Sequence, residues 1–259
     1  MKKAVFFDVD GTLWNEQMQI PASATCAIRA LRESGNYAFI CSGRSRAAIC
    51  NEELLGIGFD GVVAACGAHV DFHGETVYEH LLTPRQAAYA ISMVQKHHML
   101  AVLEGPRYVY VNLEDFGDDP YVIYLRKELG ANVKTIAGTD TFEINKLSVD
   151  LKGADMELVS REFGEEFDLI VHNSWLAEIL PKEHSKATGI KRVCEHLGIA
   201  REDTYAFGDS ANDLDMLDFV AHGIAMGNGT AEAKHAAEYV TTDIMDNGIK
   251  NGLLHYGLI

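Results

Sequence analysis

The apolar run Ala4-Val5-Phe6-Phe7 passes straight into Asp8-Val9-Asp10-Gly11-Thr12. Four apolar residues with β-branched and aromatic members, stopped by acids and a glycine, predict a strand buried on both faces that ends in a loop, as strands of a parallel sheet do. Gly11 permits a tight turn there, so both carboxylates can face one pocket at the C-terminal end of the strand. The arrangement returns at Phe207-Gly208-Asp209-Ser210-Ala211-Asn212-Asp213, where an apolar strand and a glycine lead into acids at a loop that opens a helix.

Strand and helix patterns alternate after the first acidic loop. Ala24, Ile28 and Leu31 recur at helical spacing over 21–35, between a proline and a glycine. A strand over 37–41 leads to Ser42-Gly43-Arg44, then a helical stretch to Leu55, a strand over 61–65 and a hairpin over 70–78. Thr83-Pro84 opens a new helix with Thr83 as its N-cap, after which the pattern loosens, with strands expected at 100–104, 108–112, 143–150 and 169–172. Alternation resumes with a helix over 186–197, a strand over 204–207, a helix over 214–219 and a strand over 223–226. The expectation is an α/β fold with a Rossmann-like parallel-sheet core, residues 1–82 and 183–259, and a second, smaller inserted α/β domain at 83–182. A chain of 259 residues is long enough for both.

Carboxylate nucleophiles serve phosphoryl transfer because an aspartyl phosphate is reactive enough to be hydrolysed in a second step. Asp8 is the candidate nucleophile. Asp10 is the candidate acid and base, giving a proton to the leaving oxygen and later taking one from the attacking water. Asp8, Asp209 and Asp213 in one pocket would crowd three negative charges together, a costly arrangement unless a divalent cation sits among them. Hard oxygen ligands of this kind suit Mg²⁺. Ser42-Gly43 offers a hydroxyl and backbone amides, and Lys186 at the start of a helix offers a point charge, both suited to phosphoryl oxygens. Ser42 can also cap a following helix, and Arg44 can either reach substrate or pair with a surface acid.

A formal net charge of −16 repels polyanions, which argues against nucleic acid or an anionic membrane as the main partner. The same field opposes a small phosphate ester, so a phosphate site needs cations of its own. Five scattered cysteines without a CxxC pair suggest neither a disulfide framework nor a zinc site, and the histidines, His97-His98 included, have no ligand spacing. The four-residue apolar run after Lys2-Lys3 is too short for a secretion signal, and a cytoplasmic location is expected.

With these four segments in this order, the chain resembles the haloacid dehalogenase superfamily, specifically its Cof-type, sugar-phosphatase-like branch with a large inserted cap. The resemblance spans essentially the whole chain, through Asp8-Val9-Asp10-Gly11-Thr12, Ser42-Gly43-Arg44, Lys186 and Gly208-Asp209-Ser210-Ala211-Asn212-Asp213. Ala225-Met226-Gly227-Asn228 and Asp246-Asn247-Gly248-Ile249 look like the family's closing segments. The resemblance implies Mg²⁺-dependent hydrolysis of a small phosphorylated metabolite through a phospho-aspartyl intermediate. It implies Mg²⁺ held by Asp8, the Asp10 carbonyl and Asp209 with Asp213 in support, and phosphate held by Thr12, Ser42, Gly43, Lys186 and Asn212. The inserted domain would close over the site and choose the substrate. Glu104, Arg107, Tyr108, Asn173 and Trp175 are polar or aromatic enough to line such a pocket, although packing or a solvent-facing place is the more ordinary role for any one of them. Two departures stand out: Cys66-Gly67-Ala68 where many relatives have Asn-Gly-Ala, and Lys186-Ala187 where they have Lys-Gly. A phosphomutase would use the same aspartate pair. A receiver-like signalling domain also places acids and a lysine around Mg²⁺, but needs neither this length nor the acid at position 10.

Overall fold

All four residues of β1 (Ala4–Phe7) are buried, and the strand lies inside a sheet rather than at its edge. The computed structural model describes residues 2–139, 141–164, 166–172 and 174–259, with the side chains of residues 120 and 121 excepted. After β1 come α1 (Ala22–Glu33), β2 (Tyr37–Cys41), α2 (Glu52–Leu55), β3 (Gly61–Ala64), β4 (His69–Phe72) and β5 (Glu75–Glu79). The middle of the chain forms α3 (Pro84–Lys96), β6 (Leu100–Glu104), β7 (Val109–Tyr110), α4 (Leu113–Phe116), α5 (Pro120–Leu129), β8 (Val133–Lys134), β9 (Lys146–Asp150), α6 (Met156–Phe163), β10 (Phe167–Val171) and β11 (Leu176–Pro181). The last part forms α7 (Lys186–Leu197), β12 (Thr204–Gly208), α8 (Leu214–Phe219), β13 (His222–Ala225), α9 (Ala231–Ala236), β14 (Tyr239–Val240) and α10 (Gly248–His255). These elements divide into two compact units, one of Met1–Gly43, Asn51–Tyr78 and Ser185–Ile259, the other of Arg44–Cys50 and Glu79–His184.

The sheet of the first unit runs β14-β13-β12-β1-β2-β3-β4-β5. It is parallel from β14 to β3, and β4 returns antiparallel to β3. From β1 the chain goes outward through β2 and β3 on one side, and through β12 to β14 on the other. The C-terminal ends of β1 and β12 therefore flank the point where strand order reverses, the usual place for a ligand crevice in an open α/β sheet. Phe6 and Phe39 stack on one face among Ile190 and Val193 of α7 and Met216 of α8. Phe7 and Phe207 stack on the other, where α10 comes so close that a Cβ on Gly252 would lie 2.4 Å from the Phe207 ring.

The sheet of the second unit runs β10-β11-β9-β6-β7-β8 and is antiparallel apart from the β7–β8 pair. The two-residue period of its strands sorts the side chains by face. Leu103, Leu147, Val149, Ala177 and Ile179 pack beneath α3 and α6. The opposite face carries Val102, Val109 and Val111 against α5, and beside them a buried polar group: Glu104, Lys146, Ser148 and Glu178. Lys146 pairs with Glu178, and lies 3.4 Å from Glu104. Glu104 also accepts from the Ser148 hydroxyl at 2.5 Å and the Ser45 amide at 3.2 Å. That hydrogen bond from Ser45, with Ala47 seated among Val102, Val109 and Val122, explains why Arg44–Cys50 belongs to this unit.

Burial alone would push the Glu178 carboxyl up, but Lys146 and His172 hold it down at about 2. A carboxyl held below its unfolded value of about 4.3 contributes stability above that pH and loses it as the pH falls towards the folded value. Acidification from about pH 5 to pH 2 is therefore expected to cost on the order of 3 kcal/mol through this group. Denaturation midpoints across that range should show the loss in the parent protein and a flatter acid limb in Glu178→Gln; identical limbs would exclude Glu178 as its source.

The elements expected over 37–41, 100–104, 186–197 and 214–219 form with those limits. The helical stretch expected to run to Leu55 is instead a short 3₁₀ turn at Arg46–Ala48 and a separate α2, because Asn51 accepts the Leu54 amide and starts a new helix. The strand expected from 143 begins at Lys146. Just before it the backbone presses on Gly105, where a Cβ would meet the Glu143 carbonyl.

Candidate active site

The two acidic loops meet because their strands are neighbours in register. Phe7 pairs with Phe207, and the Asp8 amide donates to the Phe207 carbonyl at 3.0 Å. Gly11, at φ +85°, lets the first loop pass the second so closely that an added Cβ would sit 2.4 Å from Asp209 Oδ2. Thr12, fully buried, donates its hydroxyl to Asp209 Oδ1 at 2.9 Å and ties the loops together. Asn228 closes the same rim, its amide donating to the Gly11 carbonyl at 2.7 Å and its oxygen accepting from the Ile244 amide at 3.0 Å.

Lys186 arrives from the far end of the chain. It is the first residue of α7, whose N-cap Ser185 accepts from the Thr188 amide. Gly67, at φ +81°, allows the Ser185 carbonyl to lie within 2.2 Å of where a Cβ would stand, which brings this helix start against the end of β3. The buried ammonium donates to Asp8 Oδ1 at 2.6 Å and to Asp213 Oδ1 at 2.5 Å. Asp213 Oδ2 accepts the Asp209 and Ser210 amides at 2.9 and 3.0 Å, so this one carboxylate both orders the second acidic loop and anchors the lysine.

Asp8, Asp209 and Asp213 each present an oxygen, all within 4.8 Å of one another. Three carboxylates thus face one ammonium, and the electrostatics show the excess. Burial and then the charge of Asp213 push the Asp8 carboxyl well above the usual range, against the pull of Lys186. Burial and Asp213 likewise push Asp209 up to about 7, although the Thr12 hydroxyl opposes this. Burial alone would discharge Lys186, but Asp213 and Asp8 hold its ammonium well above its ordinary value. Three hard oxygen donors with surplus negative charge fit a small divalent cation.

Ser42 and Gly43 are buried at the end of β2, beside β1 in the sheet. Ser42 is held through its backbone, its amide to Val63 at 2.8 Å and its carbonyl to Cys66 at 3.2 Å, and the next helical turn has Ser45 as its cap rather than Ser42. Cys66 itself sits in the left-handed region at φ 48°, a conformation that asparagine adopts more readily than cysteine. Asn212 accepts from the Ser210 hydroxyl at 2.8 Å, within its own loop. Arg44 belongs to the other unit, its guanidinium 5.8 Å from the centre of the Tyr124 ring. Glu104 is part of the buried polar group already described, Arg107 pairs with Glu143 at 2.5 Å, Tyr108 meets Tyr110 edge-on, and Trp175 is exposed. Asn173 lies outside the described residues. Trp14, 2% exposed, donates its indole N–H to Asp10 Oδ1 at 2.9 Å, a contact that sequence reading missed because an aromatic residue after an acidic loop looks like core.

A family model of haloacid dehalogenase-like hydrolases matches residues 5–253. The chain belongs to that family. This haloacid dehalogenase-like hydrolase is of the Cof type and is a phosphoric monoester hydrolase. It is 31% identical to YkrA of Bacillus subtilis (strain 168) over 264 residues, covering 99% of this chain and 98% of that one. A hypothetical protein of Geobacillus kaustophilus HTA426, known from its crystal structure, is 32% identical with a TM-score of 0.84, covering both chains completely. The subclass IIB sugar phosphatase BT4131 is 26% identical with a TM-score of 0.83, again over the whole of both chains.

Proposed function

We propose that this enzyme hydrolyses a small phosphorylated metabolite, of the sugar phosphate kind, through a phospho-aspartyl intermediate on Asp8. The observation that carries the reading is the convergence of Asp8, Lys186, Asp209 and Asp213 at the crevice end of one sheet. An Asp8 oxygen attacks phosphorus while the bond to the leaving oxygen breaks and Asp10 gives that oxygen a proton. Asp10 then takes a proton from water, whose oxygen attacks the same phosphorus; the bond to Asp8 breaks and inorganic phosphate leaves. Lys186 sets the orientation of Asp8, and with Thr12, Ser42, Gly43 and Asn212 it is assigned to the phosphoryl oxygens. The Asp8, Asp209 and Asp213 carboxylates, with the Asp10 carbonyl, are the groups that would hold Mg²⁺. When bound, the ion neutralises these carboxylates and the charge on the transferring phosphoryl group.

The inserted domain expected at residues 83–182, which falls within the second unit, is assigned the choice of substrate. Among the described residues no helix is long and apolar enough to cross a membrane. The five cysteines are free thiols, which suits the reducing environment of a cytoplasmic enzyme.

A screen of phosphate release over phosphorylated metabolites, with Mg²⁺ and with EDTA, tests the reading. Release that requires Mg²⁺ is the expected result; an isomerised sugar phosphate without free phosphate would make the enzyme a mutase instead. A second measurement concerns the metal-free protein. A carboxyl whose folded value is raised binds its proton more tightly in the fold than in the unfolded chain, so its contribution to stability is lost as pH rises from the unfolded value through the folded one. Asp209, at about 7, therefore destabilises the metal-free fold between about pH 4 and pH 7. Added Mg²⁺ should raise the denaturation midpoint more at pH 8 than at pH 5, and equal shifts at both would count against these carboxylates as its ligands.

A further inference from the structure

An exposed aspartate ordinarily samples several rotamers and offers either oxygen to a reacting group. Asp10 is exposed, yet its Oδ1 is held by the indole N–H of buried Trp14 at 2.9 Å. The tether is local and stiff. Trp14 donates its amide to the Val9 carbonyl at 3.2 Å and accepts the Gly11 amide at 2.9 Å, so ring and backbone both return to the turn that carries Asp10. The two residues also pair as an isolated parallel bridge.

The geometry points to Trp14 as the positioning residue that decides which oxygen of Asp10 carries the catalytic proton, an inference that rests on the acid–base role assigned to Asp10 above. Indole N–H is a donor and never an acceptor. An Asp10 oxygen facing it must therefore present a lone pair, whether the carboxyl is ionised or protonated. The carbonyl oxygen of a protonated carboxyl accepts better than its hydroxyl oxygen, so when Asp10 carries its proton the bond from Trp14 to Oδ1 favours that proton on Oδ2. The carboxyl thus has one proton-delivering atom in one orientation, instead of two atoms exchanging by rotation, and the N–H bond is kept through both halves of the cycle. Buried tryptophans generally find a partner for their N–H. What distinguishes Trp14 is that the partner is the side chain that must move a proton, rather than a backbone carbonyl of the core.

The role is testable because acid assistance depends on the leaving group. A p-nitrophenolate leaves without a proton, whereas an alkoxide does not. kcat/KM, which reads the steps up to leaving-group departure, is compared for p-nitrophenyl phosphate and glycerol 2-phosphate in the full-length enzyme with Mg²⁺. Trp14→Phe keeps an aromatic ring and removes the N–H. It should lower kcat/KM for the alkyl ester by about tenfold and for the aryl ester by about twofold or less, a part of the ~10²–10⁴-fold that a positioned acid supplies. The ratio of the two is independent of how much of a sample is folded, and Trp14→Leu, which also lacks the donor, should give the same ratio. Equal losses on both esters would reduce Trp14 to packing and overturn the inference. Asp10→Asn separates the two levels: if it discriminates between the esters and the Trp14 variants do not, only the positioning role fails; if it costs both esters alike, the acid role of Asp10 fails with it.

Discussion

Asp8→Asn is expected to lower kcat/KM by about 10⁴-fold or more for every phosphate ester the enzyme accepts. The substitution preserves shape and removes the charge proposed to attack phosphorus. No other group in the cluster can take over, because Asp213 has both oxygens engaged, one by Lys186 and the other by two backbone amides, and Asp209 is tied to Thr12. The fold should persist, since burial and Asp213 already oppose ionisation of Asp8 and an uncharged amide relieves that penalty. Acid quenching during turnover should trap phosphoenzyme in the parent and none in the variant. A variant that is folded by circular dichroism and retains more than about one per cent of turnover would rule out Asp8 as the nucleophile.

Lys186→Met should act on stability as strongly as on rate. Asp8 and Asp213 are 3% and 0% exposed, and the ammonium is the cation they share. Removing one member of a buried ionic group costs about 3–5 kcal/mol, because the partners stay buried without compensation. Chemical denaturation in EDTA at neutral pH should show a loss of that size. The loss should shrink on acidification, since Asp8, whose carboxyl burial and Asp213 already raise against the pull of Lys186, can take up a proton and shed its charge. Added Mg²⁺ should restore part of the stability by mass action. Activity should remain about 10²–10³-fold down even then, because the donor proposed for the phosphoryl oxygens is gone. A cost below about 1 kcal/mol at neutral pH would mean that the Lys186 ammonium does not compensate these buried side chains in the parent.

Much of the site was legible as local chemistry. An acid pair after an apolar strand, a second acidic loop after another, a serine after a third and a lysine opening a helix can each be seen within a dozen residues. Helix α7 could be read to its limits because its amphipathic spacing and its start are both local. The helical stretch to Leu55 could not be, since the decisive facts were an Asn51 cap and the packing of Ala47 into the other unit. Arg44, adjacent to Gly43 in sequence, goes with that other unit for the same reason. Glu104 looked suited to a pocket, but only the sheet register reveals that it faces Lys146 and Ser148.

Residue types and their order along the chain determined the elements, the family and the groups available for phosphoryl transfer, because hydrophobic period, turn chemistry and charge act over a few residues. Tertiary structure alone decided what those groups do to one another. Lys186 and Asp8 are 178 positions apart, yet they share a hydrogen bond out of water. Burial and crowding then raise the carboxyl of Asp209 to about 7, and an indole takes hold of Asp10. Desolvation and the distance between charges depend on packing in three dimensions, so they arise only when the sheet brings the loops together.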